Sequence, residues 1–255
     1  MNKCYLILGI ILFLLYIWAF FIEPNLLVVK RYRVDNLQGK RIVFVSDFHI
    51  AKRDGHRLKR IVRKINKLNP DIVLFGGDFI KGQDDTRTMQ IEEQVQELAK
   101  IKAPVVSVLG NHDGWYDKYR VKSELESIGI IVLHNTNTKI GDIYIAGVED
   151  LRTGSPNVET ALENTESPRI LLTHNPDVYY DVKEDVDLIL AGHVHGGQVR
   201  LPLFGALICP SEYGTKFAER DFNETQNRMI VTRGLGTSIL TVRFCDIPEI
   251  VVLEG

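Results

Sequence analysis

Cysteine is scarce in this chain, and charge of either sign is nearly cancelled. The three cysteines, Cys4, Cys209 and Cys245, are scattered, so no CxxC spacing offers a zinc clip or a redox dithiol. They say little about compartment. Thirty-one Lys and Arg against 33 Asp and Glu leave a net charge of −2. Without a global basic field, duplex nucleic acid is not expected as a partner. There is no internal repeat and no low-complexity linker, which excludes a solenoid and a string of tethered modules. What remains, 255 residues that are 45% hydrophobic, suffices for one large core.

Long apolar runs are also rare, with one exception. Cys4 to Ile22, "CYLILGIILFLLYIWAFFI", is uncharged over 19 residues; as a helix it would rise about 28 Å, close to the thickness of a bilayer's hydrocarbon core. A cleaved signal peptide would have a shorter apolar region and a small-residue cleavage site, whereas "EPNLLVV" follows here. Residues 1–23 are therefore expected to be an uncleaved single-pass anchor, residues 24–40 a connecting segment and residues 41–255 the folded domain. Lys3 precedes the run, while Lys30, Arg31, Arg33, Lys40 and Arg41 follow it. That asymmetry favours a cytoplasmic domain on an inner membrane.

Beyond the anchor, short β-rich runs alternate with helical patterns, the mark of an α/β fold. "RIVFVS", "DIVLFG", "PVVSVLG", "RILLTH" and "VDLILAG" read as strands. Residues 56–68, "HRLKRIVRKINKL", place Leu58, Ile61, Val62, Ile65 and Leu68 on one stripe, with the basic residues on a solvated face. Residues 88–101 and 117–129 read as two more helices. "IIVLH", "IYIAGVE", "MIVTRG" and "EIVVLE" make the second half richer in strands.

The stretch "LAGHVHGGQV", residues 190–199, sets two imidazoles between glycines just past a strand. It is not alone. Asp47 and His49, Asp78, Asn111 to Asp113, and His174 all follow other strands, and five of the seven histidines fall in these segments. In open α/β sheets ligands bind beyond the carboxyl ends of the strands, so parallel strands would bring these residues together. Carboxylate, amide and imidazole donors without thiolate suit Mn²⁺, Fe or Zn²⁺, and their number exceeds the needs of one ion. Two divalent ions can activate a water between them and clamp a phosphoryl group.

The ordered blocks "SDFH", "GGDF", "GNHD", "LLTHNPD" and "GHVHGGQ" over residues 45–199 resemble the calcineurin-like metallophosphoesterases. "EPNLL", "GGQVRLPLFGAL" and "TRGLGTS" resemble the bacterial YaeI- and YkuE-type phosphodiesterase branch, itself similar to UDP-2,3-diacylglucosamine pyrophosphatases of lipid A synthesis. The resemblance implies a four-layer α/β/β/α sandwich and hydrolysis of a phosphodiester or pyrophosphate bond, the substrate being a phosphodiester or a lipid-linked phosphate. It implies Asp47, His49 and His195 on a first metal, Asn111, His174 and His193 on a second, Asp78 bridging them, and His112 as the catalytic residue that steadies phosphoryl oxygens or protonates the leaving group. Where protein Ser/Thr phosphatases carry GDxVDRG, this chain reads "GDFIKG" with Lys81, which disfavours a protein substrate. A non-catalytic scaffold of the same fold would lack ligands, and none is missing.

Other residues keep two readings each. Asp113 either orients His112 or caps the following turn. Arg233 contacts substrate phosphate or forms a surface ion pair, and Glu149 and Asp150 either support a ligand histidine or are solvated turn acids. "KRYR", residues 30–33, lies against anionic headgroups or is a strand edge. His56 and His134 match no block and are read as non-catalytic.

Overall fold

Strand runs that are apolar at every position must be covered on both faces. In the computed structural model, which describes residues 3–255, two six-stranded sheets do this by stacking on each other. The first contains β1 (Val28–Arg33), β2 (Arg41–Val45), β3 (Ile72–Phe75), β4 (Val105–Ser107), β5 (Ile131–Val132) and β14 (Glu249–Glu254), in the order β1-β14-β2-β3-β4-β5. The second contains β6 (Thr136–Ile140), β7 (Ile143–Gly147), β8 (Arg169–Leu172), β9 (Leu188–Ala191), β12 (Asp221–Phe222) and β13 (Met229–Val231), in the order β12-β13-β9-β8-β7-β6. β2 to β5 are mutually parallel, as are β7, β8, β9 and β13, while β14 runs antiparallel to β2.

Side-chain alternation builds the layers. Ile42 and Phe44, with Ile72 and Leu74, point to the other sheet, where Ile170, Leu172, Leu188 and Leu190 meet them. Val43, Val45, Val73 and Phe75 face the opposite way, toward the helices α2 (Gly55–Lys67), α3 (Ile91–Leu98) and α4 (Asn111–Ser127). Leu171, Ile189 and Ala191 face a thin outer layer containing α5 (Val158–Leu162) and the 3₁₀ turn Pro176–Asp181. The four-layer α/β/β/α sandwich is thus present, with its fourth layer reduced to short pieces.

Two expected boundaries move. α3 is shorter than expected. α4 starts six residues before the expected Asp117, and its non-helical Asp117 kinks it. The early start follows from Asp113, whose carboxylate accepts from Gly110 N–H at 2.9 Å and caps the first turn. Residues 24–40 also contribute the edge strand β1, parallel to β14, so the "KRYR" segment lies in that strand, where Arg31 pairs with Glu254.

The N-terminal helix α1 (Lys3–Ile17) continues through a π-helical turn, Trp18–Ile22, and a 3₁₀ turn, Glu23–Asn25. No side chain of α1 is buried. Met1 and Asn2, the first residues of the expected anchor, lie outside the described residues. The far end of the helix is tied to the domain: Arg243 N–H donates to Ala19 O at 2.9 Å, and the buried Glu23 accepts from Asp246 N–H. A short hairpin, β10 (Arg200–Leu201) and β11 (Gly205–Ala206), stands outside both sheets.

Because Phe44 is fully buried between the sheets, Phe44→Ala is expected to cost about 3–5 kcal/mol. Urea unfolding of the detergent-solubilised chain checks this, with the midpoint falling sharply. Tyr119→Ala, at an exposed site, should stay within about 0.5 kcal/mol.

Candidate metal centre

Parallel strands end together, and their carboxyl ends carry the polar blocks. Asp47 follows β2, Asp78 follows β3, Asn111 opens α4 beyond β4, His174 follows β8, and His193 and His195 follow β9. These six side chains, and that of His49 two residues after Asp47, are buried. The two sheets join there directly, since His193 N–H donates to both Asp47 carboxylate oxygens at 3.1 Å and His174 Nδ1 meets Gly76 O at 2.7 Å.

The donors sort into two groups that share one carboxylate. In one, His195 Nε2 lies 3.2 Å from His49 Nε2 and 3.4 Å from Asp47 Oδ1. In the other, His174 Nε2 lies 3.1 Å from Asn111 Oδ1 and 3.2 Å from His193 Nδ1. Asp78 Oδ2 sits between them, 3.4 Å from His49 Nε2 and 3.4 Å from His174 Nε2. Ring orientation is set from outside. A carbonyl oxygen only accepts, so Ile80 O places the proton on His49 Nδ1 at 2.8 Å, Gly76 O on His174 Nδ1, and Pro210 O on His193 Nε2 at 3.0 Å. The remaining nitrogens therefore present lone pairs to each other and to carboxylates. Lone pairs at that spacing repel, and a cation between them removes the repulsion. The donor set fits divalent metal ions on that ground.

Ionisation follows the same logic. Burial pulls His49 and His193 down to about 3 and holds His195 well below the ordinary range, so all three stay neutral as ligands require. Burial also lowers His174, but the Asp78 carboxylate outweighs it and raises His174 well above its ordinary value. Burial would raise Asp78, yet His174, His49 and His112 hold it far below the usual carboxylate range. Asp47, where burial dominates, is raised to about 6.

The backbone is bent to reach this arrangement. Asp47, His49, Asp78, His193 and His195 all have positive φ, at 56°, 39°, 58°, 70° and 51°. Such conformations cost about 1–3 kcal/mol each and persist where the surroundings impose them. Two glycines leave the required room. A Cβ on Gly192 would strike Ser46 and the Asp47 carboxylate, and one on Gly110 would strike Asp78 and His174.

Of the residues with two readings, Asp113 caps and does more. Besides Gly110, its buried carboxylate accepts from the backbone N–H of Asp78, Phe79 and Ile80 at 2.8, 2.9 and 3.2 Å, locking the Asp78 turn to the start of α4. It does not contact the His112 side chain. Burial, then Asp78, raises it to about 7. Arg233 pairs with Asp246 at 2.9 Å. Glu149, half-buried, pairs with His134 and Lys118, and the buried Asp150 accepts from Arg152 N–H and Thr153 N–H; neither hydrogen-bonds a ligand histidine. His56 is exposed, and the amino group of Lys81 donates to Thr237.

Sequence reasoning missed two arginines. Arg57, assigned to the solvated face of α2, reaches under the site and donates to Phe48 O, His49 O and Leu235 O. Arg243, fully buried, binds Asp246 and the carbonyls of Arg233 and Gly236. It braces the turn whose Gly236 N–H reaches Asp47 O at 2.7 Å. No periodicity signal marks an arginine that bonds to backbone carbonyls.

His112 stands at the mouth. Its Nδ1 is 2.8 Å from Gly82 O, its N–H donates to Asp78 Oδ1 at 2.8 Å, and its ring packs edge-on to His49 at 4.7 Å. One of its ring nitrogens, with His49 and Asp78, completes a third set of donor atoms lying within 4.8 Å of one another. The centre opens into a cavity of about 660 Å³, large enough for a small-molecule substrate. One wall is polar, with Asp78, Asn111, His112, His193, His195 and Arg152; the other is apolar, with Val199, Leu207, Ile208, Ile239 and Leu240.

The model of the calcineurin-like phosphoesterase family matches residues 40–197. The chain is similar to the uncharacterized metallophosphoesterase YkuE of Bacillus subtilis, 32% identical over 93% of this chain and 88% of that protein. Phosphodiesterase YaeI of Escherichia coli is 32% identical, with 91% and 89% covered. UDP-2,3-diacylglucosamine pyrophosphatase LpxG of Chlamydia trachomatis is 27% identical, with 94% and 93% covered.

An amide cannot supply the negative charge that Asp78 places between the two histidine groups. Asp78→Asn is expected to lower metal content and abolish phosphoesterase turnover together. Elemental analysis beside an assay on bis(p-nitrophenyl) phosphate checks it, and near-normal turnover with full metal would refute the shared carboxylate.

Proposed function

The chain belongs to the calcineurin-like phosphoesterase family, and from that premise we propose that it is a membrane-anchored, two-metal hydrolase of a phosphodiester or pyrophosphate bond. Its substrate is a lipid-linked or envelope-derived phosphate. The observation that carries the proposal is the pair of carbonyl-oriented histidine groups sharing the Asp78 carboxylate at the floor of a half-apolar cavity.

Asp47, His49 and His195 would hold one ion, Asn111, His174 and His193 the other, and Asp78 both. Bound there, two divalent ions would supply Lewis-acid chemistry, lowering the pKa of a water and neutralising charge on the phosphoryl oxygens. The chain's own groups do the rest. His112, with Nδ1 committed to Gly82 O, offers Nε2 to the substrate, where it steadies a phosphoryl oxygen or donates a proton to the leaving oxygen. Because His112 N–H is bonded to Asp78 Oδ1, it stays in register with the metal-holding carboxylate. Val199, Leu207 and Leu240 give an apolar substituent of the substrate a matching surface beside the reacting bond.

The apolar wall favours one particular substrate, a diacylated sugar nucleotide of the kind named for LpxG. In this reading residues 1–23 anchor the chain in a bacterial inner membrane, residues 24–40 connect, and residues 41–255 act on the cytoplasmic side. The apolar helix Lys3–Asn25 supports the anchor, and the excess of basic residues after it supports the orientation.

A substrate panel tests the substrate class. The detergent-solubilised chain should turn over UDP-2,3-diacylglucosamine or bis(p-nitrophenyl) phosphate faster than p-nitrophenyl phosphate; a clear preference for the monoester would overturn it. Retention in the membrane pellet after a high-salt wash tests the anchor.

His112→Asn should keep both metals while turnover falls by about 10²–10⁴. If protonation is its role, the defect should shrink for a p-nitrophenolate leaving group; a constant defect assigns the electrostatic role. Loss of one metal equivalent would make His112 a ligand instead.

A further inference from the structure

Two loops beside the metal centre are apolar where a water-facing surface would be polar. The β10–β11 hairpin and the chain after it expose Leu203, Phe204, Leu207 and Ile208, and the neighbouring loop exposes Ile239 and Leu240. Leu203 at 102%, Phe204 at 81% and Ile239 at 89% retain essentially all of their accessible surface. Contiguous patches of this kind mark a binding face. The segment leading into the hairpin is bonded to the second loop, since Gln198 accepts from Ser238 N–H and its amide donates to Leu240 O at 3.3 Å.

Their position names the occupant. The segment that follows Leu240 is the one that holds the end of the apolar helix, through Arg243 N–H to Ala19 O and Asp246 N–H to Glu23. Tyr16, Trp18 and Phe21, aromatic and exposed, lie at that end of the helix, where bilayer interfaces favour such rings. No described residue of α1 is buried and all but Ile17 are exposed, so whatever covers the helix extends to within a few residues of the loops. The same loops form the apolar wall of the cavity above the metal centre.

We propose that the 201–208 and 239–240 loops seat directly on the lipid bilayer beside the helix, so that the metal-facing cavity opens at the membrane surface and receives its substrate from the lipid phase. This rests on the reading of the helix as a membrane anchor. The helix sets the location; the loops set the angle at which the cavity meets the lipid.

The test uses the full chain in vesicles of phosphatidylethanolamine and phosphatidylglycerol, with Cys4, Cys209 and Cys245 replaced by serine and a nitrobenzoxadiazole label on one new cysteine. Labels at Phe204→Cys and Ile239→Cys should be quenched by doxyl-labelled phospholipid. A label at Asp142→Cys, in the β6–β7 turn at the opposite end of the sheet, should not. Labels at 204 and 239 no better quenched than 142, with a Leu12→Cys label strongly quenched, would overturn the loop contact while leaving the anchor standing. Failure to quench at position 12 as well would remove the anchor and the proposal together. Shielding at 204 that depends on protein density and not on the lipid quencher would assign the patch to a second copy of the chain and overturn the lipid contact. Independently, Leu203→Ser with Phe204→Ser should leave turnover of bis(p-nitrophenyl) phosphate in detergent unchanged. Hydrolysis of phosphatidyl-p-nitrophenol in vesicles should fall at least about tenfold, the scale of losing one buried apolar side chain. Equal rates on the vesicle substrate would overturn the proposal.

Discussion

Mutual repulsion among the donors at the carboxyl ends of the strands is the constraint around which the structure is arranged. Two carboxylates, an amide oxygen and the lone pairs of four imidazoles crowd into one buried space. In a low-dielectric interior such a set is stable only with positive charge in its midst. His174 feels the demand directly, since the Asp78 carboxylate raises its proton affinity well above the ordinary value despite burial. Much of the surrounding backbone serves to hold the crowd in place: carbonyls that fix the rings, the Asp113 carboxylate bonded to four N–H groups, and five side-chain-bearing residues bent to positive φ.

Rigidity there depends on the layers beneath. The strands that deliver Asp47 and Asp78 are sealed between the helices on one side and the second sheet on the other. The second sheet in turn delivers His174, His193 and His195. Neither sheet alone carries a complete centre. The buried Arg243 extends this order outward, bonding the turn that holds Asp47 on one side and Asp246 on the other, while Asp246 N–H meets Glu23 at the end of the apolar helix. The helix is thereby connected to the metal centre through a continuous set of hydrogen bonds.

The cavity divides its work by polarity. Its floor orders charge, and its wall of Val199, Leu207, Ile208, Ile239 and Leu240 provides apolar surface with no polar group to satisfy. A phosphate ester with a hydrophobic substituent matches both halves.

The chain order of the blocks, the short continuous apolar runs of the strands and the apolar stripe of α2 are local properties, readable directly from residue order and spacing. They were enough for the α/β class and for a cluster of donors suited to metal, while the resemblance carried by the ordered blocks supplied the expected seven ligands and the role of His112. The early start of α4 at Asn111 was not readable, because it depends on Asp113 finding Gly110 N–H and the Asp78 turn, contacts made only once β3 and β4 are paired. Arg57 likewise looked like surface charge and Arg243 carried no signal, since their partners are backbone carbonyls brought near by the fold. The sequence by itself determined which donors exist and that each follows a strand. Only the tertiary structure decided that Asp78 lies between the two histidine groups, which nitrogen of each pinned ring faces inward and that one wall is apolar, because those depend on how two sheets stack and not on the spacing within either.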